Sequence, residues 1–519
     1  MMSLTRQLEA SLGPDTGDLG LRIGLNSGPC TAGVLRGERA RFQLFGNTVN
    51  VAARMESNGM RDRIQASQTT ADYLISAGKG HWVKAREDLV EAKGKGKMQT
   101  YWINPKNNAG ASIDHILGSE SGDERDGGNK DDRLIDWNTN VLAQLLQQIV
   151  ARRKHSSSPH PSPKHMIETD DGKVLEEFKE TIDFPEFIDG KEVADTMNLD
   201  SVVIFQLREF VASIADLYTS VPFHAFAHAT HVTMSMVNMF IHVVAPTPDV
   251  AHAVERTHSI VSDPLAKFAC LFAALIHDVD HPGVPNGQLV KENQDIASVY
   301  KGKSIAEQNS MDCAWHLFTS SAFDELRHTL CETDEEMHLF RQMVVNLVIA
   351  TDLFDNDLIK VREDRWHQVV GVSDSSKDPS HFNRKATMSL ELMMQASDIG
   401  HVMQHWIIYR KWSTRLFEEM YGAFLAGRSE KDPSDGWYEG ELWFFDNHAI
   451  PLAKKLIGLG VLGASSNEYL TCAEKNREEW AERGHEEVEI MKENALREDA
   501  EIGGLILHLS QANSMNFEL

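Results

Sequence analysis

LFAALIHDVDHPGVPN, residues 271–286, runs from an uninterrupted apolar segment into His277, Asp278, Asp280 and His281, then turns at Pro282-Gly283. A buried apolar helix does not end in four ionisable side chains without compensation, because an unpaired charge taken out of water is costly. Either these groups pair with one another or they hold something. Outward from this stretch the pattern is almost wholly helical. SVVIFQLREFVASIADLY (201–218), AHATHVTMSMVNMFIHVV (227–244), EEMHLFRQMVVNLVIATDLF (335–354), MSLELMMQASDI (388–399) and WSTRLFEEMYGAFLA (412–426) each carry an apolar face at the 3.6-residue period. A compact all-α domain is expected over about 171–485, with 486–519 as a weakly ordered or locally helical tail.

The region before it differs in character. Residues 21–103 mix Gly-rich turns with short apolar runs; alternation in FQLFG (42–46) and TYWI (100–103) predicts strands, and VNVAARMESNG (49–59) predicts a helix closed by Gly59. This is an α/β segment, assigned to residues 1–105. Residues 106–170 are polar and Gly/Asn/Asp/Ser-rich, with SSSPHPSPK at 156–164, and are expected to be a linker. Within the linker a helix is expected at about 136–153, its leucine stripe serving either to pack on a neighbouring domain or to form a homodimer.

Composition narrows the function. With 51 Lys+Arg against 77 Asp+Glu the formal charge is -26, which argues against nucleic acid as a partner, since that binding needs a positive field. A small phosphorylated ligand is not excluded, because a metal reverses the local sign. Five scattered cysteines without ligand or redox spacing fit a reducing cytosol. No stretch reaches the roughly 18 apolar residues of a membrane span. A cytoplasmic location is expected, either for this chain or as the cytosolic part of a longer membrane-attached parent.

His224 and His228 lie four apart in a helix-like stretch and so share a face. Asp398 ends an apolar helix just before Gly400. Histidine and aspartate arriving from three separate helices suit a divalent ion, imidazole favouring zinc and carboxylate with water favouring magnesium or manganese. From the residues alone, a metal site and a purely structural His-Asp network both satisfy the pattern.

Phe223-His224-Ala225-Phe226-Ala227-His228-Ala229-Thr230-His231-Val232 and His277-Asp278-Val279-Asp280-His281-Pro282-Gly283-Val284-Pro285-Asn286 resemble, in order, the two signatures of class I 3',5'-cyclic-nucleotide phosphodiesterases. The resemblance spans roughly 175–480. It implies an all-helical fold and metal-dependent hydrolysis of the 3'-phosphoester of cyclic GMP or cyclic AMP to the 5'-monophosphate. It further implies two divalent ions, zinc in the first site and magnesium or manganese in the second. His228, His277, Asp278 and Asp398 would be the protein ligands of the first, with Asp278 shared with the second. His224 would be the general acid protonating the leaving O3', Glu307 would orient it, and His281, Thr351 and Asn286 would support the surrounding waters.

Two departures stand out near these motifs. Ala225 replaces the family's usual Asn, and Asn309-Ser310 stands where many members have a His-His pair. At the base-reading end the resemblance places Glu441 where the family has a Gln, Phe444 as the stacking clamp, Leu416 as its aliphatic partner, and His401 where an Asn often meets the base. An ionised Glu accepts only, whereas Gln both donates and accepts. That leans the expectation toward cyclic GMP. A catalytically impaired nucleotide sensor is the alternative function that these changes would support.

LRIGLNSGPCTAGVLRGERARFQLFGNTVNVAARMESNG (21–59) and KGKGKMQTYWINP (93–105) resemble the C-terminal half of a class III nucleotidyl cyclase catalytic domain, which implies a ferredoxin-like fold. Gln43, Asn50 and Arg54 resemble that domain's base-selecting, ribose-holding and phosphate-stabilising positions. The family's metal-binding aspartates are expected upstream, and the roughly twenty residues before Leu21, with Asp15 and Asp18, do not supply their strands. The segment is therefore expected to be truncated, vestigial as a nucleotide site and inactive as a cyclase alone, or part of a longer bifunctional parent. It offers a second route to homodimerisation.

Overall fold

The computed structural model describes residues 22–103 with short breaks, 130–155, 174–184, 198–243, 260–370, 379–460 and 466–515. The chain divides into two compact units, Met1–Arg125 and Asp126–Leu519.

In the first unit, β1 (Ile23–Leu25), β2 (Thr31–Leu35), β3 (Arg41–Phe45), α1 (Asn47–Ser57), β4 (Ile64–Ser67), α2 (Gln68–Leu74), β5 (Val83–Ala85), β6 (Val90–Ala92), β7 (Gly96–Met98) and β8 (Thr100–Ile103) follow one another. β1 and β4 are parallel, with Ile23 opposite Ile64, and α1 lies in the connection between them. β8 pairs antiparallel with β4 and β5, giving the sheet order β1-β4-β8-β5. β2 and β3 form a separate antiparallel ribbon, and β6 and β7 another. Val51 and Met55 bury the inner face of α1. Gly24 is required by this packing: a Cβ there would stand 2.1 Å from the backbone nitrogen of Glu56. The α/β character agrees with the sequence, and α1 closes at Asn58, one residue before the expected Gly59.

The second unit is helical throughout its described residues. Its longer helices are α3 (Lys130–His155), α4 (Ser201–Leu217), α5 (Phe226–Ile241), α6 (Pro264–Ile276), α7 (Ile305–Thr319) and α8 (Asp334–Ile349). After them come α9 (Asn356–Val370), α10 (Pro379–Asp398), α11 (Trp406–Leu425), α12 (Trp437–Phe444), α13 (Ile450–Leu459) and α14 (Ser466–Met515). One continuous core joins most of them. α6 is its axis: it packs on α3, α5 and α8, and every residue from Phe268 to Ile276 is buried. Each fully buried Phe or Leu there contributes roughly 1.5–3 kcal/mol. Pro264 at the first turn and the Asp263 cap, accepting from the backbone of Leu265 and Ala266, set where α6 begins. Its length then fixes where it ends, which is directly at His277.

Two boundary expectations are corrected. The helix assigned to the linker at about 136–153 spans Lys130–His155 and is built into the second unit. Leu142, Leu146 and Ile149 are buried in the common core, the Asn138 amide donates to the Thr230 hydroxyl at 2.9 Å, and Arg153 binds Glu336 and the carbonyls of Thr329 and Leu330. The stripe that suggested dimerisation is spent on the unit's own packing. At the other end, the domain does not stop near 485. α14 continues through the expected tail, and Val488, Met491 and Ala495 are buried in the same core.

Candidate active site

Three buried helix segments deliver four ionisable groups to one place. His228 lies in the first turn of α5, His277 and Asp278 follow the last residue of α6, and Asp398 is the last residue of α10. His228 Nε2 is 3.2 Å from Asp398 Oδ1 and 3.8 Å from Asp278 Oδ2. His277 Nε2 is 3.0 Å from Asp278 Oδ2 and 3.3 Å from Asp398 Oδ1. Ligand atoms of His228, His277 and Asp398 all lie within 4.8 Å of one another.

The His277 tautomer tests whether a cation fits. Nδ1 lies 2.9 Å from the Ala274 carbonyl and must carry a proton to bond it. Nε2 is buried with no hydrogen bond of its own, although two carboxylate oxygens stand within 3.3 Å. A lone pair facing two carboxylates is repulsive; a second proton on the ring, or a cation among the three groups, removes the conflict. The donor set, two imidazoles and two carboxylates, fits a divalent ion. Charge balance points the same way. Burial pushes Asp278 and Asp398 up, but the histidines beside them outweigh it and hold both carboxyls below their usual range. Burial lowers His228, while the same carboxylates raise His277 despite its burial.

The turn after α6 shapes what surrounds this centre. Asp280 adopts φ 59, a left-handed conformation that Asp tolerates better than most residues. Its amide donates to the Leu217 carbonyl and its carboxylate accepts from Asn309, while Ser310 donates to the Val279 carbonyl. Asn309 and Ser310 therefore hold the turn that carries His277 and His281. His281 stacks on His224, ring centroids 3.7 Å apart, and burial together with the facing His224 lowers its pKa to about 3.

His224 itself corrects one expectation. Its orienting carboxylate is Glu419 of α11, not Glu307. Glu419 Oε1 lies 2.5 Å from His224 Nδ1, and Oε2 accepts from the backbone of Phe223 and His224 at 2.9 and 3.0 Å. Burial lowers the pKa of His224, but the charges of Asp278 and Glu419 outweigh it and leave it raised. His224, His281 and Glu419 also stand close enough to hold an ion, yet Glu419 already accepts three bonds, so the cluster is built to orient His224. Glu307 sits elsewhere, accepting from Asn286, whose other amide atom accepts from Ala306. Burial and the nearby Asp352 push Glu307 up to about 8. Thr351 donates to the Val348 carbonyl, and neighbouring Asp352 accepts from Ser304, Phe354 and Asp355.

The expected base end comes together on α11 and α12. Glu441 accepts from the Tyr409 hydroxyl at 2.8 Å and the Ser413 hydroxyl at 2.7 Å. Leu416 follows Ser413, and Phe444 follows Glu441, by one helical turn each; both are half-buried against the core. His448 stacks on Phe444 at 5.3 Å. Burial raises the pKa of Glu441. His401 is buried with Nδ1 unpartnered, and burial and the nearby His228 and His231 lower its pKa. Tyr409, Ser413 and Glu419 were missed in the sequence, although 409, 413, 416 and 419 keep one helix face and a carboxylate on that face is a signal. In the first unit, Asn50 is exposed and Arg54 half-buried one turn apart on α1. Gln43 lies in β3 opposite Gly33, and its side chain, like Asp15 and Asp18, falls outside the described residues.

This arrangement agrees with what the chain is similar to. Residues 223–435 match the family described as 3'5'-cyclic nucleotide phosphodiesterase, and residues 1–105 match the adenylate and guanylate cyclase catalytic domain. The helical unit thus matches the cyclic-nucleotide phosphodiesterase family over 223–435, and a segment that matches the cyclase catalytic domain precedes it. The "cGMP-specific 3',5'-cGMP phosphodiesterase 3" of Dictyostelium discoideum is 24% identical over 283 residues, covering 54% of this chain and 56% of that protein. "Guanylate cyclase 2D" of Rattus norvegicus is 43% identical over 103 residues, 20% of this chain and 9% of that protein. The chain therefore spans about half, or far less, of the length of these relatives. The phosphodiesterase domain of the RhoPDE fusion protein of Salpingoeca rosetta aligns with TM-score 0.45 at 16% identity, over 73% of this chain and 99% of that one.

Proposed function

We propose that the chain hydrolyses 3',5'-cyclic nucleotides to 5'-monophosphates. The observation that carries this reading is the buried convergence of His228, His277, Asp278 and Asp398 beside a histidine locked by Glu419. His228, His277, Asp278 and Asp398 would hold a first ion, zinc by donor type, and Asp278 would share a second, magnesium or manganese. When bound, such ions supply a water activated near neutral pH and neutralise phosphoryl charge. The chain's own groups supply the rest. His224, kept protonated by Glu419 and Asp278, donates its proton to the departing O3', since an unprotonated alkoxide leaves poorly. The bond from its Nδ1 to Glu419 leaves Nε2 as the atom that faces the substrate. His281, stacked on the same ring, limits how far His224 can swing.

Glu441 reads the base in this proposal. Two hydroxyls donate to it and favour the ionised acceptor against the burial that raises its pKa. Guanine presents N1-H and the 2-amino group together to such an acceptor, whereas adenine presents an acceptor at N1. An unmatched buried acceptor costs about 1–3 kcal/mol, so cyclic GMP is the preferred substrate. The curated relatives divide on this point, one named for cyclic GMP and the "Probable 3',5'-cyclic-AMP phosphodiesterase pde-4" of Caenorhabditis elegans for cyclic AMP. The test is turnover of both cyclic nucleotides by the purified chain, with and without added magnesium or manganese and after chelation. Hydrolysis of neither, with metal bound, would overturn the reading in favour of a nucleotide sensor.

A further inference from the structure

Beside the base end lies a cavity of about 420 Å³, walled by α9, α10 and the turn into α13. None of the residues assigned above to metal, acid or base lines it. It reaches the site only through neighbours: Ile399 follows Asp398, Leu353 follows Asp352, and His448 stacks on Phe444. Its size is within the roughly 300–1,000 Å³ of small-molecule sites.

Two features of its walls are unaccounted for by folding. The first is aromatic. Phe354 is 65% exposed and Trp443 51% exposed, and each meets the ring of His448 edge-on at 5.3 and 5.0 Å. Exposed apolar groups gathered at one place, unlike ones scattered singly, mark binding surfaces. The second is charge. The Lys455 ammonium lies 5.5 Å from the centre of the Trp366 ring and has no ion-pair partner among the described residues. Burial lowers its pKa against the pull of Glu363, which lines the same cavity without bonding the ammonium, so the cation is kept partly out of water. Arg362 adds a second positive group, with two donors committed to the carbonyls of Ala350 and Asp352. Glu391 does not offset these cations, because Arg365 and Asn346 already bind it. With Glu391 committed in this way, Glu363 alone faces the two cations of the cavity wall, a small positive excess in a chain of net charge -26.

We propose that the cavity is a second ligand site, taking a planar aromatic anion with its ring against Trp443 and Phe354 and its charge toward Lys455 and Arg362. Ring stacking, a cation–π contact and a charge-assisted bond would act together. Purine 5'-monophosphates and non-nucleotide aromatic anions share this chemistry. The binding does not depend on hydrolysis. Its consequence, pressure on the His448–Phe444 stack and hence on KM for a cyclic nucleotide, rests on the function proposed above.

Isothermal titration of the full metal-loaded chain with naphthalene-1-sulfonate tests the site. One molecule per chain should bind, and Lys455→Gln and Trp443→Ala should each weaken it by roughly tenfold. Basal turnover should be unchanged in Lys455→Gln, and unfolding curves of both variants should match the wild type. With 5'-GMP, a second binding event that Lys455→Gln abolishes makes the nucleotide the ligand; loss of naphthalene-1-sulfonate binding alone supports a non-nucleotide anion. No binding of the sulfonate at millimolar concentration, or equal binding in both variants, overturns the proposal. An inactive chain that still binds the sulfonate as expected would sink the hydrolase reading and leave this one standing.

Discussion

The two ends of the candidate site are built from different material. At the proposed metal end, three long helices terminate or begin at the four proposed ligands, and the segment behind His277 is buried without a break. Moving any ligand there means moving a core helix. At the base end, Glu441 and Phe444 sit on the eight-residue α12, and two hydroxyls of α11 hold Glu441 in place. Trp443, between them, is half exposed. The difference teaches where change is cheap: the chemistry is tied to the core, whereas the group proposed to read the base rests on a short helix where one side chain changes hydrogen-bond character without disturbing packing. α11 links the ends, since Tyr409 and Ser413 serve one and Glu419 the other.

The largest effect should come from breaking the metal end. His277→Ala should lose bound metal, measured by inductively coupled plasma mass spectrometry, and turnover should fall to background. That is a greater loss than the roughly 10²–10⁴ expected for an acid catalyst. Chelation should lower the melting temperature as well, because an ion held at 1,000 times its Kd stabilises by about 4 kcal/mol. A chain that turns over fully in EDTA would remove the ion from the mechanism.

Next is the acid. His224→Ala should retain metal while turnover drops by roughly 10²–10⁴. Glu419→Gln should cost less, about 10–100-fold, as for other groups that orient a working histidine. Loss of metal in His224→Ala would make that histidine a ligand and not the acid.

These expectations also mark how much was legible in sequence. The apolar run into His277 predicted a buried helix ending at a charged cluster, and it does, because burial and helical period are local properties of the chain. The partner of His224 was not legible from spacing: Glu419 lies 195 residues away, and only packing of α11 brings it to the ring. The α3 stripe was read correctly as apolar with two uses left open, and packing on the adjoining helices is the one found, since periodicity shows that a face is buried and not against what. α14 was underestimated because its charged residues dilute the apolar positions that bury Val488, Met491 and Ala495.

The base end should respond by a ratio and leave the absolute rate less affected. Glu441→Gln restores an amide that both donates and accepts, so kcat/KM for cyclic AMP should rise relative to cyclic GMP by roughly tenfold to a hundredfold, the equivalent of about 1–3 kcal/mol. Metal content should not move. Equal use of both substrates by the wild type, or a cyclic AMP preference untouched by Gln, would show that Glu441 does not read the base.

The smallest expected effect is at the metal end, at the one position of its first motif that starts a helix. Ala225 is the N-cap of α5, with φ -109 and ψ 166, and has no side chain with which to cap it. Its carbonyl already accepts from His228 and Ala229, so the helix begins in good order, but the first-turn amides lack a side-chain acceptor. Asn is among the strongest capping residues, and exchanging a cap for Ala typically costs about 0.5–2 kcal/mol. Ala225→Asn should therefore stabilise the second unit by about 1 kcal/mol, read as a higher midpoint in urea with an unchanged slope. Position 225 is half-buried beside His224, so the amide has room only if it turns back toward the helix. A lower midpoint would mean that it points instead into the His224–Glu419 contact, and turnover should then fall together with stability.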